Sequence, residues 1–238
     1  AILIETMRRE GFELSISKMV VITRQENGVT MEPVEYLVVD SPTAFQGASM
    51  EALGRRGAQM KDMKIGDDGR VRLEYVVSSR ALIGFKSEFM TLTKGAGLMH
   101  HNFHGFMPEG GFQPPKRNGV FIAKETGTTA GYALNSLQDH GIMFISPNQD
   151  VYSGQIVGEH CRSNDLVVNP CKEKKQTNMR SSTSDMSVAL TPPINMSLEQ
   201  AIEYVEDDEF VEVTPKSLRL RKKVLDHSLR KRGEKEYF

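Results

Sequence analysis

Apolar and polar positions along this chain follow two periods, and the points where the period changes divide it into elements. Ile2, Leu3 and Met7 fall at helical spacing, and the basic Arg8-Arg9 before Gly11 reads as a helix stop. Phe12, Leu14 and Ile16 alternate, residues 20–23 are β-branched, and Asn27-Gly28 is a hairpin signal between that run and residues 29–31. Tyr36, Val38 and Val39 predict a strand. Ser41-Pro42 then reads as an N-cap with proline at the first helical position, and Phe45, Ala48, Ala52 and Leu53 lie on one helical face that Gly57 closes. Residues 58–63 predict a second strand and Gly66-Asp67-Asp68-Gly69 a tight turn. Val71, Leu73, Tyr75 and Val77 alternate with Arg70, Arg72, Glu74 and Val76, as in a half-buried strand. Leu82, Phe85, Phe89 and Leu92 mark a helix ended by Gly95-Ala96-Gly97, and residues 98–106 form the last strand of the series.

The order β-α-β-β-α-β is the split-βαβ, ferredoxin-like motif. It implies an antiparallel sheet with both helices on one face and the other face free for a neighbour or for RNA. Residues 105–117, rich in Gly and Pro, read as a linker. Short strands are expected at 119–123, 130–134, 141–145, 154–159 and 165–168, a mainly β pattern. Ser197 and Gln200 form a capping-box signature, with Leu198, Ala201, Ile202 and Val205 as the buried stripe of the helix that follows. Residues 211–213 and 218–220 are final strands on either side of Thr214-Pro215, and the stretch from Asp226 looks frayed and basic. The fold class is α+β: a split-βαβ domain, then a mainly β domain with one or two helices.

Composition adds limits. The 238 residues are 39% hydrophobic and 26% charged, ordinary for a globular chain, and no apolar run is long enough to span a bilayer. Two cysteines give no disulfide framework, which suits a reducing, cytoplasmic compartment. The first residues lack the regions of a secretory signal and read as the middle of a helix, so the chain is expected to begin inside a longer protein. The net charge of −1 is unevenly spread: charged positions from 199 to 212 are all acidic, and those from 216 to 235 are nearly all basic.

Catalytic and metal chemistry finds little footing. There is no P-loop, and Lys94-Gly95-Ala96-Gly97 is a helix stop rather than a dinucleotide turn. On a strand, His100 and His104 would face one side and His101 the other. His160, Cys161 and Cys171 lack the second pair that a zinc site needs. No nucleophile elbow is present. Glu206-Asp207-Asp208-Glu209 lacks calcium-loop spacing and reads as a solvated helix end, with cations from the following strands as compensation. No catalytic residue, metal or cofactor is assigned.

One segment carries a signal. Residues 169–184 are almost devoid of apolar side chains, and long loops of this kind are functional or disordered. Lys172, Lys174, Lys175 and Arg180 are interleaved with Gln176, Thr177, Asn178, Ser181 and Ser182. Cations attract phosphate, while amides and hydroxyls hydrogen-bond phosphate, 2′-OH or base edges. A second basic surface is expected at Arg219, Arg221, Lys222 and Lys223. There Arg219 and Arg221 share a strand face, with Leu218 and Leu220 on the other.

Several stretches resemble the BipA/TypA family of bacterial translational GTPases, relatives of elongation factor G. They are Leu3-Ile4-Glu5-Thr6-Met7-Arg8-Arg9-Glu10-Gly11-Phe12-Glu13-Leu14, Gly69-Arg70-Val71-Arg72-Leu73-Glu74-Tyr75, and Ser79-Arg80-Ala81-Leu82-Ile83-Gly84-Phe85-Lys86-Ser87-Glu88-Phe89. In the last third they are Arg162-Ser163-Asn164-Asp165-Leu166, Thr177-Asn178-Met179-Arg180 and Asp207-Asp208-Glu209-Phe210-Val211-Glu212-Val213-Thr214-Pro215. Ala81 stands where the family often has glycine.

The resemblance implies that residues 1–32 end domain III, 33–115 form domain V, and 116–238 form the family's own C-terminal domain. It implies no catalysis in this piece, with GTP and Mg bound by an upstream domain of a ribosome-stimulated GTPase. The expected partner is the ribosome, chiefly 23S rRNA of the large subunit near the A site, with A-site tRNA as a further partner. The expected setting is 50S assembly and stress-related translation by a monomer that binds neither DNA nor membrane. The RNA-binding role carries over to Lys172, Lys174, Lys175, Thr177, Asn178 and Arg180, with Arg162 and Asn164 from the motif upstream. The competing expectation is a protein-interaction module that uses an acidic helix at 197–209 without touching RNA.

Overall fold

The computed structural model describes residues 2–110, 112, 117–173 and 189–236. They group into two compact units, Ala1–Lys18 with Arg117–Phe238, and Met19–Lys116. Among the described residues no helix is long and apolar enough to cross a membrane.

The chain opens with α1 (Ile2–Arg9) and β1 (Leu14–Ser17), both in the first unit. The second unit begins with a hairpin of β2 (Arg24–Glu26) and β3 (Val29–Pro42). Its turn is Asn27-Gly28, with φ of 50° and 78°, the two positive values that let a two-residue turn follow the twist of its strands. Then come α2 (Gln46–Arg55), β4 (Gln59–Ile65), β5 (Arg70–Ser78), α3 (Ser79–Leu82), α4 (Phe85–Leu92) and β6 (Leu98–Pro108). The antiparallel sheet runs β2-β3-β5-β4, with β6 on β3. Alternate residues Val71, Leu73, Tyr75 and Val77 of β5 join Leu37 and Val39 of β3, and this face is covered by Ala52, Leu53, Phe85 and Phe89 of the helices. Periodicity alone is enough to place this core.

Three expectations change here. Ser41-Pro42 is not the N-cap and first residue of the helix: β3 runs through Pro42, because β5 keeps pairing with it as far as Arg70, and a completed ladder outcompetes a local cap, so the helical turn opens only at Thr43. The helix of residues 82–92 is two helices, broken at Gly84, whose φ of +72° no β-branched residue would adopt readily. Ala81 is wholly buried in α3, upstream of that break. The stretch 105–117 is not all linker, since β6 pairs with β3 out to Met31↔Pro108.

The first unit continues with β7 (Val120–Ala123), β8 (Gly127–Thr128), α5 (Gly131–Gln138), β9 (Gly141–Met143), β10 (Asp150–Val151), β11 (Gln155–His160) and β12 (Leu166–Val168). It ends with α6 (Leu198–Tyr204), β13 (Glu209–Val213), β14 (Leu218–Lys222) and α7 (His227–Glu236). Its sheet runs β1-β13-β14-β11-β7-β12, with β9 also on β11. Residues 130–134, expected as a strand, lead into α5. Ala130, Ala133, Leu134 and Leu137 have helical spacing, which shows only when the window extends past residue 134.

Both faces of this sheet are covered. On one, Leu198, Ala201 and Ile202 of α6 pack on Val120, Ile156, Val211 and Val213. On the other, Leu134 packs with Phe121, Met143 and Val157. Burial on both faces explains why β7 is continuously apolar. The capping box of Ser197 and Gln200 is formed as the sequence predicts. Residues 1–32, expected as one piece, are divided: β1 pairs with β13, and β2 pairs with β3 in the other unit.

Candidate RNA interface

Arg162 and Asn164 sit in the turn between β11 and β12, and that turn is held from beneath. His160 is buried at the end of β11; its ring lies on Phe121, and its Nδ1–H donates to the Asn164 carbonyl at 2.8 Å. Because a carbonyl only accepts, this contact assigns the proton to Nδ1. The Gly119 N–H donates to the Arg162 carbonyl at 2.7 Å. A Cβ on Gly119 would lie 2.1 Å from the Asn164 oxygen, so the approach requires glycine. Asp165 accepts from the Val120 N–H at 2.9 Å and from Lys222 Nζ at 2.6 Å. The side chains of Arg162, Ser163 and Asn164 are left exposed above this base.

The chain then runs along β7 and leaves the core at Cys171, whose N–H donates to Asn169 Oδ1 at 3.0 Å. Lys172 is exposed. Lys174, Lys175, Thr177, Asn178 and Arg180 lie outside the described residues. On the return side, the Gln138 amide donates to the Ala189 carbonyl at 3.3 Å and accepts from the Thr191 N–H at 3.0 Å. Cys171 and Leu190 pack against the same core cluster.

The second basic surface needs a correction. Lys222 is only 3% exposed, and its Nζ lies 2.6 Å from Asp165, 2.8 Å from Asp208 and 2.9 Å from Glu209. It presents no charge to a partner. Glu209, fully buried, also pairs with Arg117, whose Nε–H donates to the Tyr204 carbonyl at 2.9 Å. Strand parity predicts the burial: Leu218, Leu220 and Lys222 point to one face. Arg221 lies 2.6 Å from Glu212 and stacks over Phe210, and Lys223 remains exposed. Arg219 is half-buried.

The acidic helix is also shorter than expected. It ends at Tyr204, and residues 206–209 lie beyond it. Asp207 and Asp208 are exposed, as expected of a solvated run, while Glu206 pairs with Lys18 at 2.6 Å and Lys222, from the following strand, supplies the expected compensation to Asp208 and Glu209. The His100, His101 and His104 region forms separate contacts: His101 with Glu35, His100 with Asn102, and His104 against Tyr36. Among the described residues no group of three His, Cys, Asp or Glu is placed to hold a metal. Cys161 and Cys171 are both free thiols.

The ionic cluster shapes the response to pH. Burial opposes the Lys222 ammonium, but Glu209, Asp165 and Asp208 outweigh it and hold its pKa above the ordinary 10.5. Burial pushes the Tyr204 phenol above 10.0, and burial together with the Glu212 hydrogen bond does the same to Tyr152. All three raised values favour the protonated form in the folded state. Their contribution is therefore complete below the unfolded values, 10.0 and 10.5, and is lost as pH rises through the folded ones. The urea midpoint is expected to fall steadily as pH rises above about 10, and Lys222→Met is expected to flatten that fall. A midpoint unchanged up to about pH 11.5 would contradict the assignment.

Residues 118–227 match the family model of the TypA/BipA C-terminal domain, and residues 29–111 match that of the elongation factor G C-terminus. Over 99% of its length the chain is 50% identical to the protein of Haemophilus influenzae named large ribosomal subunit assembly factor BipA. The chain belongs to the TypA/BipA family. Proteins of the same name from Synechocystis and Bacillus subtilis are 48% and 45% identical over 93% and 99% of this BipA-family chain. The chain spans 38%, 37% and 39% of the length of these three relatives. The elongation factor G match falls on the ferredoxin-like unit, and the TypA/BipA match falls on the mainly β sheet that bears the candidate interface.

Proposed function

We propose that this chain is the ribosome-docking part of a BipA-type translational GTPase and grips 23S rRNA of the large subunit near the A site. The observation that carries the reading is the exposed stretch of Arg162, Asn164 and Lys172. It is held by His160, Gly119 and Lys222 and leads directly into the cation-rich residues 174–180. Positively charged and amide side chains on a fixed base suit folded RNA, where shape, phosphate and 2′-OH are read together. GTP and Mg belong to a domain upstream in the longer protein, and this part contributes binding rather than hydrolysis. The task is 50S assembly and stress-related translation in the cytoplasm, as a monomer, with A-site tRNA as a neighbour.

The purified chain is expected to cosediment with 50S subunits at low salt and to be released as salt rises, because each phosphate contact displaces counterions. Complete RNA digestion should abolish the association. Retention on the protein remnant after digestion would instead favour the protein-interaction reading, against which the internal pairing of Glu206 and Asp208 already counts.

A further inference from the structure

In the second unit the antiparallel sheet ends in β4 on one side and β6 on the other. A strand at a sheet edge turns N–H and C=O groups outward, a template for another strand. β4 carries the usual protection. Lys61, Asp62 and Lys64 lie within its seven residues, and a bulge interrupts its pairing between Met60 and Asp62. β6 is built the other way. Leu98 to Phe103 pair with β3 in unbroken register, from Leu98↔Asp40 to Phe103↔Glu35, and the bulge comes only after them, at His104. This run holds no Lys, Arg, Asp, Glu or Pro, and β3 is its only strand neighbour among the described residues. All of it but Met99 is exposed, with Leu98 at 68% and Phe103 at 64%.

The chemistry of this edge sets the kind of partner. An extended polypeptide offers donors and acceptors that alternate at the strand's own rise of about 3.4 Å per residue, and a nucleic acid does not. The side chains narrow the choice. Phe103 meets Phe106 edge to face, with ring centroids 5.5 Å apart, and the Arg24 guanidinium lies 3.6 Å from the Phe106 centroid. Arg24 is paired with Glu26 at 2.6 Å, and His101 with Glu35, so the charges around Phe103 are answered from within the unit. The open Phe103 ring therefore suits an aromatic or aliphatic side chain on an incoming strand, and the uncharged edge suits a segment of low charge.

We propose that Leu98–Phe103 of β6 is a strand-addition site for an extended, weakly charged segment of another protein, anchored by an aromatic or aliphatic side chain on Phe103. Main-chain hydrogen bonds supply the affinity, and the Phe103–Phe106 pair supplies the selectivity. The contrast between the two edges has its reason here: a long edge without charges invites aggregation unless pairing is its use. The site belongs to the ferredoxin-like unit and does not depend on the RNA reading.

The probe is a synthetic octapeptide of alternating Thr and Val with one central Phe, titrated into the full chain and followed by backbone amide NMR and hydrogen exchange. Binding should saturate, shift the amides of residues 98–103 and slow the exchange of those that point outward. A fully N-methylated version keeps the side chains but loses every main-chain donor, and should bind more weakly by about tenfold or more. Phe103→Lys should weaken binding of the unmodified peptide by about tenfold or more, and Met63→Lys, on the guarded β4 edge, should leave it unchanged. The N-methylated peptide tests the edge without altering the protein, should Phe103→Lys fail to fold. The proposal is overturned if no shift at residues 98–103 saturates, if the N-methylated peptide binds as well, or if folded Phe103→Lys binds unchanged. A dimer of the chain in sedimentation that Phe103→Lys dissolves would also overturn it, because a second copy would then occupy the edge.

Discussion

Glu209→Ala is expected to cost about 3–5 kcal/mol of folding stability, the range found when one member of a buried ion pair is removed. Glu209 is fully buried between Arg117 and Lys222, and its Oε2 also accepts from the Glu206 N–H at 2.9 Å. Truncation removes all of these partners and leaves a void at a fully buried position. Lys222 would keep Asp165 and Asp208, but Arg117 would keep only neutral acceptors. Lys222→Met should be milder, because Glu209 retains Arg117 and a methionine fits an apolar strand face. The contrast between the two variants is the informative quantity, read from urea denaturation followed by circular dichroism. The transition to follow is that of the mainly β unit, since each unit has its own core. A cost for Glu209→Ala below about 1 kcal/mol would mean that the cluster is surface decoration rather than a structural hub.

The combined substitution Lys174→Ala, Lys175→Ala and Arg180→Ala is expected to weaken 50S binding and to flatten its salt dependence. Each phosphate left without its cation should reduce the slope of log affinity against log salt by about 0.7–0.9, so about two to three units for all three. A uniform weakening with an unchanged slope would place these residues away from phosphate. Lys18→Met serves as the internal control: it removes one positive charge from the same unit, from a side chain outside the candidate stretch that is already paired with Glu206, so the slope should hold. If the triple variant cosediments like the parent chain at every salt concentration, the assignment of the segment is wrong.

How much of the fold and the interface is legible in the sequence depends on whether the deciding contact is local. The β5 alternation at Val71, Leu73, Tyr75 and Val77 is visible within a few residues, and the core forms as read. The Ser197–Gln200 capping box is equally local and equally legible. Turn rules misplace the start of α2 because the competitor for Ser41 is a strand about thirty residues away, which no such rule contains. The pairing of Leu14 with Val213 joins nearly the two ends of the chain and leaves no local trace. At the candidate interface, composition marks the basic, amide-rich residues, which are exposed where they are described. It misses what holds them: spacing gives His160 no role and offers Lys222 as a surface cation, and both act inward. Parity with Leu220 is the available clue for Lys222, and a basic run around it hides that clue.

The chain leaves one small core at Cys171 and rejoins it at Leu190. Lys172, Glu173 and Ala189, the described residues just inside this pair of anchors, are exposed and stand outside the cluster that fixes the ends. Closure entropy rises by only about 0.6 kcal/mol for each doubling of the connecting length. The position is therefore a natural graft point: foreign recognition sequences of different lengths, inserted between Lys172 and Ala189, should be carried by this unit with little change in its melting behaviour.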